Sequence, residues 1–178
     1  MIPNGKITPE SKKNFKYTTG ELHKYLGHFY SLRIVQSSSK PNVYIKGKEL
    51  IVECPRPDNF EEKEYLVNSW YRQQAEAIFI PIVADAVIKT QCLDDGELPT
   101  LRIYYMPDRW GSCSPKNKVL ILNSELIKVP KFCIEYIATH EMTHFRHQSH
   151  NSSFYAALGQ VMPDWRKREK FLNEYFPL

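Results

Sequence analysis

From Leu22 onward the apolar positions of the chain follow two periods. Tyr25 to Val35 (YLGHFYSLRIV) alternates apolar with polar residues from Phe29, and Val43 to Cys54 (VYIKGKELIVEC) repeats that pattern around Gly47. Alternation of this kind marks strands with one covered face. Lys46-Gly47-Lys48 predicts a hairpin turn, and Pro55 and Pro57 end the strands because proline cannot donate to a ladder. The period then changes. Leu66, Val67, Trp70, Tyr71, Ala75, Ile78 and Phe79 recur every three or four residues, with Glu62, Lys63, Arg72 and Glu76 opposite them, as on a helix with one apolar face. Asp58, followed by Glu61, reads as the cap of that helix. Pro81 predicts a break, with a second segment over Ile82 to Lys89.

Asp94-Asp95-Gly96 with Pro99 reads as a loop, Thr100 to Met106 as an alternating strand and Lys118 to Leu122 as an apolar strand, with Arg109-Trp110-Gly111-Ser112-Cys113 in the connection. Pro130 suits the first position of a helix over Phe132 to His147. Asn151, Ser152 and Ser153 are caps for another, and Pro163 with Asp164 opens the last, through Leu172. The organisation expected is a flexible arm over residues 1–20, an N-terminal β region over 21–57 and a main domain over 58–178 that forms one compact unit with it.

Composition narrows the class. Of 178 residues, 42% are hydrophobic and 25% charged, which excludes a disordered or collagenous chain. The longest apolar stretch, Ala77 to Ile88, carries Pro81 and Asp85, so no membrane partner is expected. Met1 to Phe15 has no apolar segment of the kind a secretory signal needs, and a cytoplasmic location is the expectation. Cys54, Cys92, Cys113 and Cys133 form no CxxC pair and read as reduced, mostly buried thiols. A net charge of +4 does not by itself support a nucleic-acid partner, and the basic-aromatic run Trp165 to Lys170 reads as a solvated helix face.

The chemistry concentrates in His140-Glu141-Met142-Thr143-His144, a pentad expected about 0.016 times by chance at this composition. One helical turn separates His140 from His144, so both imidazoles can converge on one Zn2+ ion. Glu141 is rotated away from that shell, where it can take a proton from a water on the metal. His150 is the third ligand candidate, at the interval of the HExxHxxGxxH pattern, with His147 where that pattern has glycine. Asp164 and Glu169 remain as runner-up ligands. His147 would share the face of His140 and His144 about 4.5 Å further along the axis, in a supporting or solvent-facing place. Arg109 and Trp110 are substrate-binding candidates, the first for a carboxylate, phosphate or oxyanion and the second as a substrate wall. Asn123 is a candidate for fixing a loop or a histidine, and Tyr136 and Tyr155 for hydrogen-bond donors to a transition state. Cys113 reads as a buried thiol.

The runs RWGSCS (Arg109 to Ser114), LN (Leu122-Asn123), HEMTHFRHQSHNSSFY (His140 to Tyr155) and MPDW (Met162 to Trp165) resemble the YgjP-like metallopeptidase domain, a family related to the SprT-like and Wss1-like zinc proteases. The resemblance implies an α+β, zincin-like fold in which a small β-sheet lies beside the active-site helix with a supporting helix behind. It also implies His140, His144 and His150 as zinc ligands and Glu141 as the catalytic carboxylate. The cysteine-rich ribbon often found in SprT-like proteins has no counterpart up to Leu178, which counts against a DNA-bound role.

The function expected is a zinc-dependent hydrolase, a metallopeptidase acting on peptide or protein substrates. Two alternatives stay open. One, implied by the same resemblance, is metal-dependent hydrolysis of a nucleoside triphosphate, UTP, to the monophosphate and pyrophosphate, which without a P-loop would rely on metal and basic side chains. The other is a non-catalytic, DNA-associated binding module with structural zinc.

Overall fold

The structure, a computed structural model, describes residues 15–93 and 97–177. The first fourteen residues of the expected arm and the Asp94-Asp95-Gly96 loop lie outside the described residues. The described end of the arm is held rather than loose. Tyr17 is buried, the Phe15 ring stacks on His23 at 4.5 Å, and the Gly20 amide donates to the Leu32 carbonyl.

The described residues hold two small sheets and four α-helices, an α+β architecture. Strands β1 (Leu22–Tyr25), β2 (His28–Gln36), β3 (Asn42–Lys46) and β4 (Glu49–Cys54) form a sheet in the order β1-β2-β4-β3. Strand β2 runs antiparallel to β1 and parallel to β4, and β3 and β4 make the hairpin that Gly47 turns at φ +60°. The single run expected from Tyr25 to Val35 is divided by the turn Leu26-Gly27. The amides of these two residues donate to the carbonyls of Ile127 and Lys128. Gly27 sits at φ +82°, and a Cβ there would come within 2.6 Å of the Pro130 ring, so only glycine allows this approach. The first sheet is thereby tied to the segment that launches the histidine-bearing helix.

Helix α1 (Phe60–Thr90) corrects two expectations. Its cap is Asn59, whose side chain accepts from the Glu62 amide at 2.7 Å, and not Asp58. It also runs through Pro81 without a break. Pro81 and Ala77, whose carbonyl loses its donor there, are both exposed, so water can reach that carbonyl. Buried residues on both sides of the proline, Ala75, Phe79, Ile82, Val83, Ala86 and Val87, keep the helix in register. Each large apolar side chain buried this way contributes about 1.5–3 kcal/mol, which together exceeds the ~3 kcal/mol that an interior proline costs.

The second sheet has the order β5-β7-β6, with β5 (Thr100–Tyr104) parallel to β7 (Val119–Asn123) and β6 (Gly111–Ser114) antiparallel to it. The RWGSCS run, expected only as a connection, therefore supplies the edge strand β6. Helix α2 (Lys131–Thr143) packs between this sheet and α1, with Pro130 as its cap rather than at its first turn. It ends earlier than the expected His147. The amides of Phe145 and Arg146 turn back to Met142 and Thr143 in a tighter final turn. Helices α3 (Ser152–Val161) and α4 (Trp165–Tyr175) close the other side of α2. One core joins α1, α2, β7, α3 and α4, and a second lies under the first sheet around Leu32, Leu50, Val52 and Trp70.

Replacing the α1 cap gives a direct check. Asn59→Ala is expected to lower unfolding stability by about 1 kcal/mol in a urea titration, while Asp58→Ala stays within ~0.5 kcal/mol.

Candidate metal centre

Helix α2 brings its chemistry to one end. His140 lies inside the helix and His144 is its C-cap residue, still in helical backbone conformation, so the one-turn spacing survives although the helix stops at Thr143. The chain then doubles back through residues 145–151 into α3, and that return carries His150 to the other two. Its Nε2 lies 2.9 Å from Nε2 of His140 and 3.0 Å from Nε2 of His144. The three rings are the group among the described residues whose nitrogens could hold a metal ion.

The donor set fits a divalent cation. Nitrogens bound tetrahedrally at 2.0–2.1 Å stand about 3.3 Å apart, within a few tenths of an ångström of the spacing here. The protonation states agree. Burial and the neighbouring imidazoles pull His140 down to about 3, and burial holds His144 below its ordinary value, so both are neutral at pH 7. His144 has its tautomer set for it, because Nδ1 donates to the His147 carbonyl at 2.9 Å and leaves the Nε2 lone pair facing the cluster. Nδ1 of His140 is buried without a partner among the described residues.

Glu141, the next residue along the helix, packs against β6. A Cβ on Gly111 would come within 2.7 Å of its Cγ and 2.9 Å of Oε1, so the glycine is what allows the carboxylate this close to the strand. Burial pushes the acid up to about 7, opposed by the Cys113 thiol and by the Arg109 charge. Cys113, driven up to about 12 by burial and by the same carboxylate, remains a thiol and donates to it. This contact was missed in the sequence, where RWGSCS reads as a loop and Cys113 as inert.

The other candidates separate clearly. Arg109 is exposed and makes a two-pronged ion pair with Asp108, at 3.0 and 2.8 Å, while close enough to Glu141 to feel its charge. Trp110 is half-buried against the main core. Asn123 anchors the loop that carries both, donating from Nδ2 to the carbonyls of Met106 (2.6 Å) and Arg109 (2.8 Å). His147 does not share the helical face expected for it, since the helix has ended. Its carbonyl serves His144 while its ring meets Ser153 Oγ at 3.2 Å. Neither runner-up ligand reaches the cluster. Asp164 pairs with Arg168 at 3.0 Å, and Glu169 accepts from the Tyr136 hydroxyl at 2.9 Å, which also commits that hydroxyl away from a substrate. Tyr155 lies beside His150, with ring centroids 6.1 Å apart.

Residues 5–175 match the YgjP-like, metallopeptidase domain family. Among solved structures, the metallopeptidase zymogen of Pyrococcus abyssi abylysin is similar at 19% identity and TM-score 0.47, over 53% of this chain and 91% of that one. The metallopeptidase zymogen of Methanocaldococcus jannaschii jannalysin is similar at 23% identity and TM-score 0.44, over 52% of this chain and 84% of that one. No match is found among curated proteins.

The glycine contact is open to test. Gly111→Ala is expected to displace the Glu141 carboxylate while leaving the imidazole cluster intact. A crystal structure of the variant would show the shift, and metal content per chain should stay at the wild-type value.

Proposed function

The chain belongs to the YgjP-like metallopeptidase domain family, and from that premise we propose that it is a zinc-dependent peptidase. His140, His144 and His150 hold the ion, and Glu141 is the general base. The observation that carries the reading is the convergence of three imidazole nitrogens at one point, with a buried carboxylate on the residue next to His140 but outside the set.

A divalent cation so held polarises a carbonyl oxygen and brings the pKa of a bound water to about 7. The chain supplies the rest. Glu141, whose proton affinity burial has brought to about 7, can take a proton from the attacking water and return it to the departing amine. The Cys113 thiol, donating to that carboxylate, fixes which way it faces. Arg109, exposed in the loop before β6, offers a guanidinium for a substrate carboxylate, and Trp110 beside it is the candidate substrate wall. The matched family is a metallopeptidase family, which supports peptide hydrolysis over the nucleotide and binding-module alternatives. Four free cysteines, three of them buried, accord with a reducing, cytoplasmic compartment. No helix among the described residues is long and apolar enough to cross a membrane.

Two measurements test this. Elemental analysis is expected to find about one zinc per chain in the wild type and a large loss in His150→Ala. Glu141→Gln is expected to retain zinc while turnover of an unfolded protein substrate falls ~10²–10⁴-fold. Full zinc content in His150→Ala would remove that residue from the ligand set. Undiminished cleavage by Glu141→Gln would refute the base.

A further inference from the structure

Resting on the reading of the three imidazoles as a cation site, we propose that Tyr155, backed by Trp165, is a positioning residue for His150.

The three donors are not equally supported. His140 is built into α2, and His144 ends that helix with Nδ1 bound to a backbone carbonyl. His150 is carried by the return loop and is exposed. Among the described residues, its ring has no hydrogen-bonding neighbour except the other two imidazoles. A side chain with two free torsions on a loop needs some other constraint if its nitrogen is to stay within a few tenths of an ångström of a ligand position. Hydrogen bonding to the protein does not provide it.

Ring contacts from α3 do. The Asn151 side chain caps that helix by accepting from the Phe154 amide at 3.0 Å, which fixes the first turn and the two rings it presents. Phe154, fully buried, lies edge-on to His150 at 4.8 Å and also touches His140 at 5.0 Å and His144 at 4.5 Å. It is a floor common to all three donors, and its removal would disturb the core as well. Tyr155 is different. It touches His150 alone of the three, with its ring inclined 27° at 6.1 Å, and it is 37% exposed.

What keeps Tyr155 in place is Trp165, stacked on it at 5.1 Å and 14°. Trp165 is buried at the start of α4 and has the Arg166 guanidinium 4.6 Å over its ring. The rings of His150, Tyr155 and Trp165 thus form a column from the loop-borne donor to a helix that is itself clipped to α2. There Arg168 bonds both Glu135 and the Phe132 carbonyl. The Tyr155 hydroxyl has no hydrogen-bond partner among the described residues, so its part in the column is its ring face.

The experiment compares the full chain as wild type, Tyr155→Ala, Tyr155→Phe and His150→Ala. Zinc affinity is measured by competition with a chromophoric chelator, and ligand geometry by the visible absorption of the cobalt(II)-loaded protein. Tyr155→Ala is expected to bind zinc about 3- to 10-fold more weakly, the scale of one aromatic pair, with an altered cobalt spectrum. Tyr155→Phe is expected to restore both to wild type. Because Tyr155 is partly exposed, the metal-free melting temperatures should stay within a few degrees of one another, which separates positioning from loss of fold.

Wild-type affinity and spectrum in Tyr155→Ala would overturn the proposal while leaving the cation site standing. So would a Tyr155→Phe as weak as the alanine variant, since that would assign the effect to the hydroxyl. Wild-type affinity in His150→Ala, or no stoichiometric zinc in any of the proteins, would sink the cation site itself and this proposal with it.

Discussion

The arrangement rests on three imidazoles that face one another across hydrogen-bonding distance, with His140 and His144 held uncharged by burial. Protonated histidines at 2.9–3.0 Å would repel strongly in a partly buried site, and the low proton affinity of His140 reflects both that crowding and its burial. Three rings keep a common facing geometry this tight when the chain fixes where each one stands. Each therefore needs a separate support: a helix for His140, a helix end and a backbone carbonyl for His144, and a return loop braced by rings for His150. Much of the fold can be understood as the delivery of those supports. Helix α1 gives α2 a long buried partner, and the Leu26-Gly27 turn of the first sheet holds the segment in front of α2. Helices α3 and α4 close over the loop that returns His150.

The parts legible in the sequence were those set by local spacing. A period of two around a Lys-Gly-Lys turn is enough for the β3–β4 hairpin, and an interval of four is enough to put His140 and His144 on one side of a helix. The return of His150 to the pair was legible from its interval after His144, although no glycine marks the turn. The helix through Pro81 was not legible, because the proline penalty is local whereas the burial of Phe79, Ile82, Val83, Ala86 and Val87 depends on α2, more than forty residues away. Nor was strand β6. With four residues, all half-buried, it has no alternation to read, and its partner β7 alone makes it a strand. The division of roles between Asn59 and Asp58, neighbours with equally good capping side chains, depends on which one the chain direction sets at the helix mouth.

The aromatic residues of α3 and α4 illustrate a further limit. In the sequence Tyr155 reads as a hydrogen-bond donor and Trp165 as part of a solvated helix face, whereas Trp165, like Phe154, is buried. Their relation to the histidines appears only when three separate turns are folded together, because Phe154 meets residues at distances of four, ten and fourteen along the chain. Hydrophobic packing and site geometry are here the same contacts. Phe154 is buried and meets all three rings, whereas Tyr155 lies at the edge of the cluster and meets His150 alone of the three.

Glu141 shows how packing against backbone, rather than a nearby charge, can set the chemistry of an acid. The desolvation of its carboxyl is the largest influence on its proton affinity, and that desolvation exists because Gly111 lets β6 come so close. Two groups act in the other direction, the Cys113 thiol by donating and Arg109 by its charge. Both come from the same short run as the glycine. The RWGSCS segment therefore contains the wall that raises the acid toward neutrality and the two groups that keep it from rising further. A carboxyl left in water at this position would be a weaker proton acceptor, and one sealed without the thiol and guanidinium would hold its proton more tightly. The edge strand that was hardest to recognise in the sequence is thus the element that tunes Glu141, while the helix that was easiest to recognise only carries it.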